Sequence, residues 1–191
     1  MNSKCQPFRD LFHWSNVMPN NTIWELRHRA DPECREIADR HYNRQKIGTP
    51  QFVPPGRCVV LIAKTKQGKA LWITSWPFAE YTKHEWGGAW VCSCFRNEGA
   101  GLSSDLIQQA VAVTRWVWPD VPEQGIITFI DRKKTLPKKD PGYCYQMAGW
   151  SICGKTKSRG LTALSMQCVD MPEPIPPLNG QFSMWSGLNT L

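Results

Sequence analysis

Arg96, Gly99 and Gly101 stand in the hexapeptide "RNEGAG", immediately before an amphipathic run. An arginine followed by glycines at that spacing suits the holding of an anion. A helix that starts here presents unpaired backbone N–H groups and the positive end of its dipole, and glycines let the backbone approach a ligand closely. Arg96, Asn97, Gly99, Ala100, Gly101, Leu102 and Ser103 would make up such a site, and a pyrophosphate suits it. The alternative is a tight connection and nothing more. The spacing is not the dinucleotide fingerprint G-x-G-x-x-G, and no Gly-Lys-Ser/Thr follows as in a P-loop.

Fixed cations form a second set. The chain carries a net charge of +7 over 191 residues, and the charge is clustered. "DRKKTLPKKD" holds Arg132, Lys133, Lys134, Lys138 and Lys139, "GKTKSRG" adds Lys155, Lys157 and Arg159, and the mixed segment 27–46 includes Arg44. Such clusters meet the phosphates of a nucleic acid or of a phosphorylated cofactor, or else they only keep a loop solvated. Most of the ten tryptophans are expected in the core, and exposed ones can stack on bases. The eight cysteines include no CxxC pair. They read as reduced thiols, with no metal expected. Cys92 and Cys94, two apart on one candidate strand, are expected to point the same way.

These residues need elements to position them. The length allows one ordinary core and favours a single domain. Asp31 and Pro32 read as the cap and first position of a helix over 32–46, with Cys34, Ile37, Ala38 and His41 on one face. "RCVVLIAK" and "ALWITSWPF" read as a hairpin around "TKQGK", and "AWVCSCF" as a third strand. The amphipathic run 102–118 is a helix ending before Pro119, with Leu106, Ala110, Val113 and Val117 inward. "GIITFID" is an apolar strand, "PGYCYQMAG" a short helix, and "WSICGKT" with "LTALSMQC" a closing pair of strands. The first 30 residues show no clear period, and 169–191 is acidic and proline-rich, which predicts an extended tail. The order predicts an α/β protein of the α+β kind, a mixed sheet flanked by helices. No apolar run reaches the roughly 20 residues of a membrane span, and no signal peptide is evident, so a cytoplasmic protein is expected.

"CSCF", "RNEGAG", the helix that follows, "GIITFID" and "CYQMAGW" occur in an order that resembles the GNAT superfamily of acyl-CoA-dependent N-acyltransferases. In that family a strand ends in Q/R-x-x-G-x-G/A, a helix follows, and another strand runs beside the first. A short helix then carries a tyrosine four residues before a Gly-aromatic pair, as Tyr145 stands before Gly149 and Trp150. The resemblance covers roughly residues 57–168 and is most specific over 90–165. It implies one GNAT-like domain over 1–168, with 1–56 on the acceptor side and 169–191 as a tail. It further implies acetyl-CoA as co-substrate, with its pyrophosphate on the turn after Arg96 and its pantetheine arm in a splay between two strands. Tyr145 would protonate the departing thiolate; otherwise it is a partly buried helix tyrosine.

Aminolysis of a thioester also requires a neutral amine, hence a route for its proton. Asp131, Glu98, His84, Glu85 and His41 are the candidates. His41 on an apolar face is more commonly a satisfied core histidine, and Asp131 can equally cap a turn. The basic insertion resembles the phage-encoded Mom-type branch, whose members acylate bases in DNA. That resemblance implies an acceptor amine on a modified base such as aminomethyl-uracil, whose acetylation would shield phage DNA from host nucleases. Arg132, Lys133, Lys134, Lys138, Lys139 and Arg44 would then hold DNA. Two readings stay open beside it: acetylation of a small-molecule amine or protein lysine, and a basic nucleic-acid-binding module with no catalysis.

Overall fold

The computed structural model describes residues 22–77, 85–135 and 140–180. Its centre is a mixed seven-stranded sheet: β1 (Trp24–Arg27), β2 (Arg57–Lys64), β3 (Lys69–Trp76), β4 (Trp90–Glu98), β5 (Ile126–Ile130), β6 (Ser151–Lys155) and β7 (Thr162–Met166). The spatial order is β1-β2-β3-β4-β5-β7-β6, and every neighbouring pair is antiparallel except β4 with β5.

Alternation of side chains along β2 builds two cores, one on each face of the sheet. Val59, Leu61 and Ala63 join Trp72, Trp90 and the inner stripe of α2 (Ser103–Val117). Val60 and Ile62 join Cys34, Ile37 and Ala38 of α1 (Pro32–Asp39). In α2, Leu106, Ala110 and Val113 are buried as their spacing requires, while Val117 is only partly so. Full burial of a leucine or valine such as Leu106 or Val113 contributes about 1.5–3 kcal/mol.

Asp31 caps α1 as expected, its side chain accepting from the Cys34 N–H, with Pro32 in the first turn. The helix ends at Asp39 rather than 46. The Arg40 N–H turns back to the Ile37 carbonyl, and residues 44–51 wrap around the Arg44 side chain instead of continuing the helix. β1 has no counterpart in the sequence reading. It is an edge strand of four residues, anchored by Trp24, whose indole N–H donates to the Leu106 carbonyl at 2.9 Å. The described part of the expected tail, residues 169–180, is packed against the domain. The Ile175 N–H donates to the Ala112 carbonyl, and the Asn179 side chain bonds both the N–H and C=O of Leu26, covering the free edge of β1.

Cys92 and Cys94 face opposite sides. The β3–β4 register shifts between Ile73 and Thr74, so Ser93 is an extra residue in the ladder. Cys92 therefore packs with α2, and Cys94 with α1. No helix among the described residues is long and apolar enough to cross a membrane.

Candidate functional site

The parallel seam between β4 and β5 is short. Trp90, Val91 and Cys92 pair with Ile126, Ile127 and Thr128, and beyond them the strands diverge. β4 runs on through Glu98 against β3 alone, and β5 through Ile130 against β7. The gap is a cleft of about 430 Å³. Cys94, Phe95 and Arg96 form one wall, Phe129 and Ile130 the other, with Cys92, Thr128 and Tyr145 between them. His41, Tyr42 and Lys134 also line it.

At the far end of β4 stands the glycine turn. Because the strand extends to Glu98, Arg96 and Asn97 are ladder residues, and the turn proper begins at Gly99. Asn97 holds it closed. Its side-chain oxygen accepts from the Gly99 and Ala100 N–H groups at 3.1 and 2.9 Å, and its amide donates to the Gly101 carbonyl and Ser103 hydroxyl. Two of the amides expected to bind an anion are thus already satisfied, and Asn97 shapes the turn rather than touching a ligand. The N–H groups of Gly101, Leu102, Ser103, Ser104 and Asp105 are different. No acceptor among the described residues meets them, and no side chain caps α2, whose N-cap residue is Leu102, 67% exposed. An anion at this helix start would meet open donors and the dipole together.

Tyr145 sits on α3 (Tyr143–Met147), a helix too short to hold itself. Gly142 before it adopts a left-handed φ of 94°, and a side chain there would press on Ile130, so α3 seats directly on the end of β5. The Tyr145 ring meets Phe95 and Trp150 edge-on, with centroids 6.1 and 5.1 Å away. Its hydroxyl lies 3.5 Å from Cys92 Sγ. Burial pushes the phenol well above its ordinary value, with the neighbouring Cys92 adding to the effect. Burial likewise pushes the Cys92 thiol up to about 12, so it is no nucleophile. Tyr145 therefore stays protonated and can donate.

Glu98 is a fixed anion. Arg40 makes a two-pronged contact with it at 2.8 and 2.7 Å, and the Arg96 Nε donates to it at 2.6 Å. Hydrogen bonding from Arg40, then Arg96, lowers its pKa to about 2, against burial acting the other way. That excludes Glu98 as a base near neutral pH. The Arg96 NH1 donates to the Arg40 carbonyl, so this arginine braces α1 against β4. The lowered pKa makes the pair stabilising above about pH 4.5, and the contribution fades as pH falls toward 2. Glu98→Gln should cost about 1–2 kcal/mol at pH 7, discounted because Arg40 is half exposed. Denaturant unfolding of both proteins should show the gap closing between pH 5 and pH 2.

The other base candidates fare as follows. His41 lines the cleft, but burial and then Arg96 lower its pKa to about 4. Its Nδ1 accepts from the Asn43 N–H, so the neutral ring carries its proton on Nε2 and has no free lone pair. Asp131 organises the turn after β5: its carboxylate accepts from the Lys133 N–H and its carbonyl from Lys134 and Thr135. Glu85 pairs with Lys157 away from the cleft. His84, Lys138 and Lys139 lie outside the described residues.

Arg132, Lys133 and Lys134 are exposed on the turn after β5, and Lys134 lines the cleft. Arg44 does not join them. Its guanidinium pairs with Asp39 at 2.6 Å and donates to the Thr49 and Gln51 carbonyls, so it cannot also serve a phosphate. Tyr42 escaped the sequence reading; its hydroxyl is buried beside the Asp131 backbone within the cleft. Only its adjacency to His41 pointed there. A second cavity of about 570 Å³, between α1, residues 43–55 and β4, shares His41, Asn43, Ser93 and Cys94 with the cleft. Comparison with protein-family models, curated proteins and solved structures finds no match to this chain.

Proposed function

We propose that this chain is an acetyl-CoA-dependent N-acetyltransferase of the GNAT kind, acting on an amine carried by a base in DNA. One arrangement carries the reading: a three-pair parallel seam opening into a cleft, with the uncapped start of α2 near one end and the Tyr145 hydroxyl between its walls. The arrangement supports the splay, anion site and tyrosine that the resemblance implies. Acetyl-CoA supplies an activated acyl thioester when bound. The N–H groups of 101–105 would take its pyrophosphate, and the β4 backbone past Cys92, unpaired on the β5 side, would bond an extended arm as a strand does. Tyr145 would donate to the departing sulfur.

Glu98 and His41 do not titrate near neutrality, so the proposed acceptor of the amine's proton is water. The rate should therefore climb with pH up to the pKa of the amine itself, with no plateau set by a carboxylate or imidazole. A pH–rate profile with an inflection between 6 and 7 would assign the proton to another base.

The exposed cations at 132–134 beside the cleft support a polyanionic acceptor. The adjoining 570 Å³ cavity is large enough for a small polyamine or a side chain, which keeps a small-molecule or lysine acceptor as a second reading. The deciding experiment incubates the protein with acetyl-CoA and DNA containing aminated thymines, in parallel with polyamines, and analyses products by mass spectrometry. Acetylated nucleosides support the reading, and acetylated polyamines alone replace it with the second. If acetyl-CoA fails to raise the melting temperature, the chain is a binding module.

A further inference from the structure

Across β5 from the basic turn lies a third cavity, of about 410 Å³, that the acyl-transfer reading leaves unused. Trp86 and Phe129 form its aromatic lining, with ring centroids 5.8 Å apart. One edge of the Trp86 indole rests on Gly154, where any side chain would meet it at 3.4 Å. The β6–β7 ladder shifts register at that same place, between Ile152 and Gly154, and the hairpin then carries its tip past the indole. That tip brings Lys155, Lys157 and Arg159 to the cavity, all three exposed.

Two of these cations have carboxylate partners among the described residues. Lys157 meets Glu85 at 2.7 Å, but both side chains are largely exposed, so the pair is weak. Arg159 reaches Asp131 at 3.9 Å, which ties the hairpin tip to the turn bearing Arg132, Lys133 and Lys134. Lys155 makes no ion pair among the described residues. The two groups of cations thus flank the end of β5. Phe129 lines both this cavity and the cleft, so the two spaces adjoin.

An aromatic lining with a rim of cations is the pairing that single-stranded nucleic acid requires, a ring for the base and cations for the flanking phosphates. We propose that this cavity is a stacking subsite for one nucleotide of an unpaired strand, with the base against Trp86 and its phosphates on Lys155, Lys157 and Arg159. The inference deepens the reading of DNA as acceptor. It makes the preferred acceptor an unpaired strand, held beside the cleft at a nucleotide neighbouring the one that reacts. A duplex keeps its bases stacked on one another and offers no face to the indole.

The test is fluorescence anisotropy with a labelled short oligothymidylate and its duplex form. Wild-type protein should prefer the single strand. Trp86→Leu keeps an apolar side chain but removes the π face, and should weaken single-strand binding by roughly 5- to 100-fold. Trp86→Phe should restore most of it. Replacing Lys155, Lys157 and Arg159 with alanine should flatten the salt dependence by up to about 2 in log–log slope, at roughly 0.7 per phosphate contact. Stabilisation by acetyl-CoA should survive in every variant. Equal binding by Trp86→Leu and wild type overturns the subsite, and so does equal loss in Trp86→Leu and Trp86→Phe, which marks a packing role. If wild type binds no oligonucleotide yet is stabilised by acetyl-CoA, the subsite and the DNA acceptor both fall while acyl transfer stands. If Trp86-dependent binding occurs without stabilisation by acetyl-CoA, the subsite stands and acyl transfer falls.

Discussion

Tyr145→Phe should slow acetyl transfer by about 10²- to 10³-fold, the range for removing one preorganised donor from a developing anion. Binding of acetyl-CoA should change little, because on the proposed reading the phenol would act on the sulfur only as it departs. Stability should also hold. The ring contacts with Phe95 and Trp150 remain, and the lost hydroxyl contact to Cys92, at 3.5 Å, is a weak one. The raised pKa defines the role more closely. A phenol above its ordinary 10 gives up its proton less readily than a free thiol does, so on the proposed reading Tyr145 would serve mainly as a hydrogen-bond donor to the leaving thiolate. Stopped-flow single-turnover rates separate this from binding. A variant within twofold of wild type would make Tyr145 a packing residue and leave the thiolate to water.

Leu102→Asp should move stability and coenzyme affinity in opposite directions. Leu102 is the N-cap of α2, with extended backbone (φ −69°, ψ 125°) that any residue adopts, and its own side chain caps nothing. Aspartate there can accept from the open N–H groups of the first turn and stabilise the helix by about 1 kcal/mol. The same carboxylate would occupy those donors and repel a pyrophosphate. At roughly 1–4 kcal/mol per charge pair at contact distance, affinity should fall about a hundredfold or more. A higher melting temperature with lost calorimetric binding of coenzyme A is an outcome that global damage cannot produce. Unchanged affinity would remove the anion from this helix start. Gly101 is a poorer probe: its φ of 152° strains any side chain, so lost binding there would not separate charge from distortion.

What the sequence made legible were features whose chemistry is local. Asp31 before Pro32 marks a helix start with a mechanism, and the hairpin over 57–76 reads from its β-branched strands and glycine turn. The order of strand, glycine turn, helix, strand and tyrosine helix was equally plain. Features settled by contacts distant in the chain were not legible. The end of α1 depends on Arg44 finding Asp39, Thr49 and Gln51. β1 is too short to show a period and owes its place to Trp24 and Asn179. The bulge at Ser93 reverses the parity on which the Cys92–Cys94 expectation rested, and a bulge leaves no mark in a run of apolar residues. At the site, an asparagine after Arg96 is visible in any reading, but its grip on the Gly99 and Ala100 amides is a matter of rotamer.

Three register pairs join β4 to β5, whereas β2 and β3 share eight. On one side of that junction lie strands linked largely by sequence-local antiparallel turns, and on the other β5, β7 and β6 close a second such group. Each group can form from contacts near in the chain, while the junction needs the whole of α2 as a crossover before its strands meet. The junction is therefore the late step of assembly and the natural line of local opening. Amide hydrogen exchange should find faster exchange at Thr128 and Phe129 than at Leu61 and Ile62 in the middle of the β2–β3 ladder. The gap proposed to admit a ligand is thus also where the polypeptide should breathe, and an occupant bridging both walls would close that line and slow exchange on either side of it.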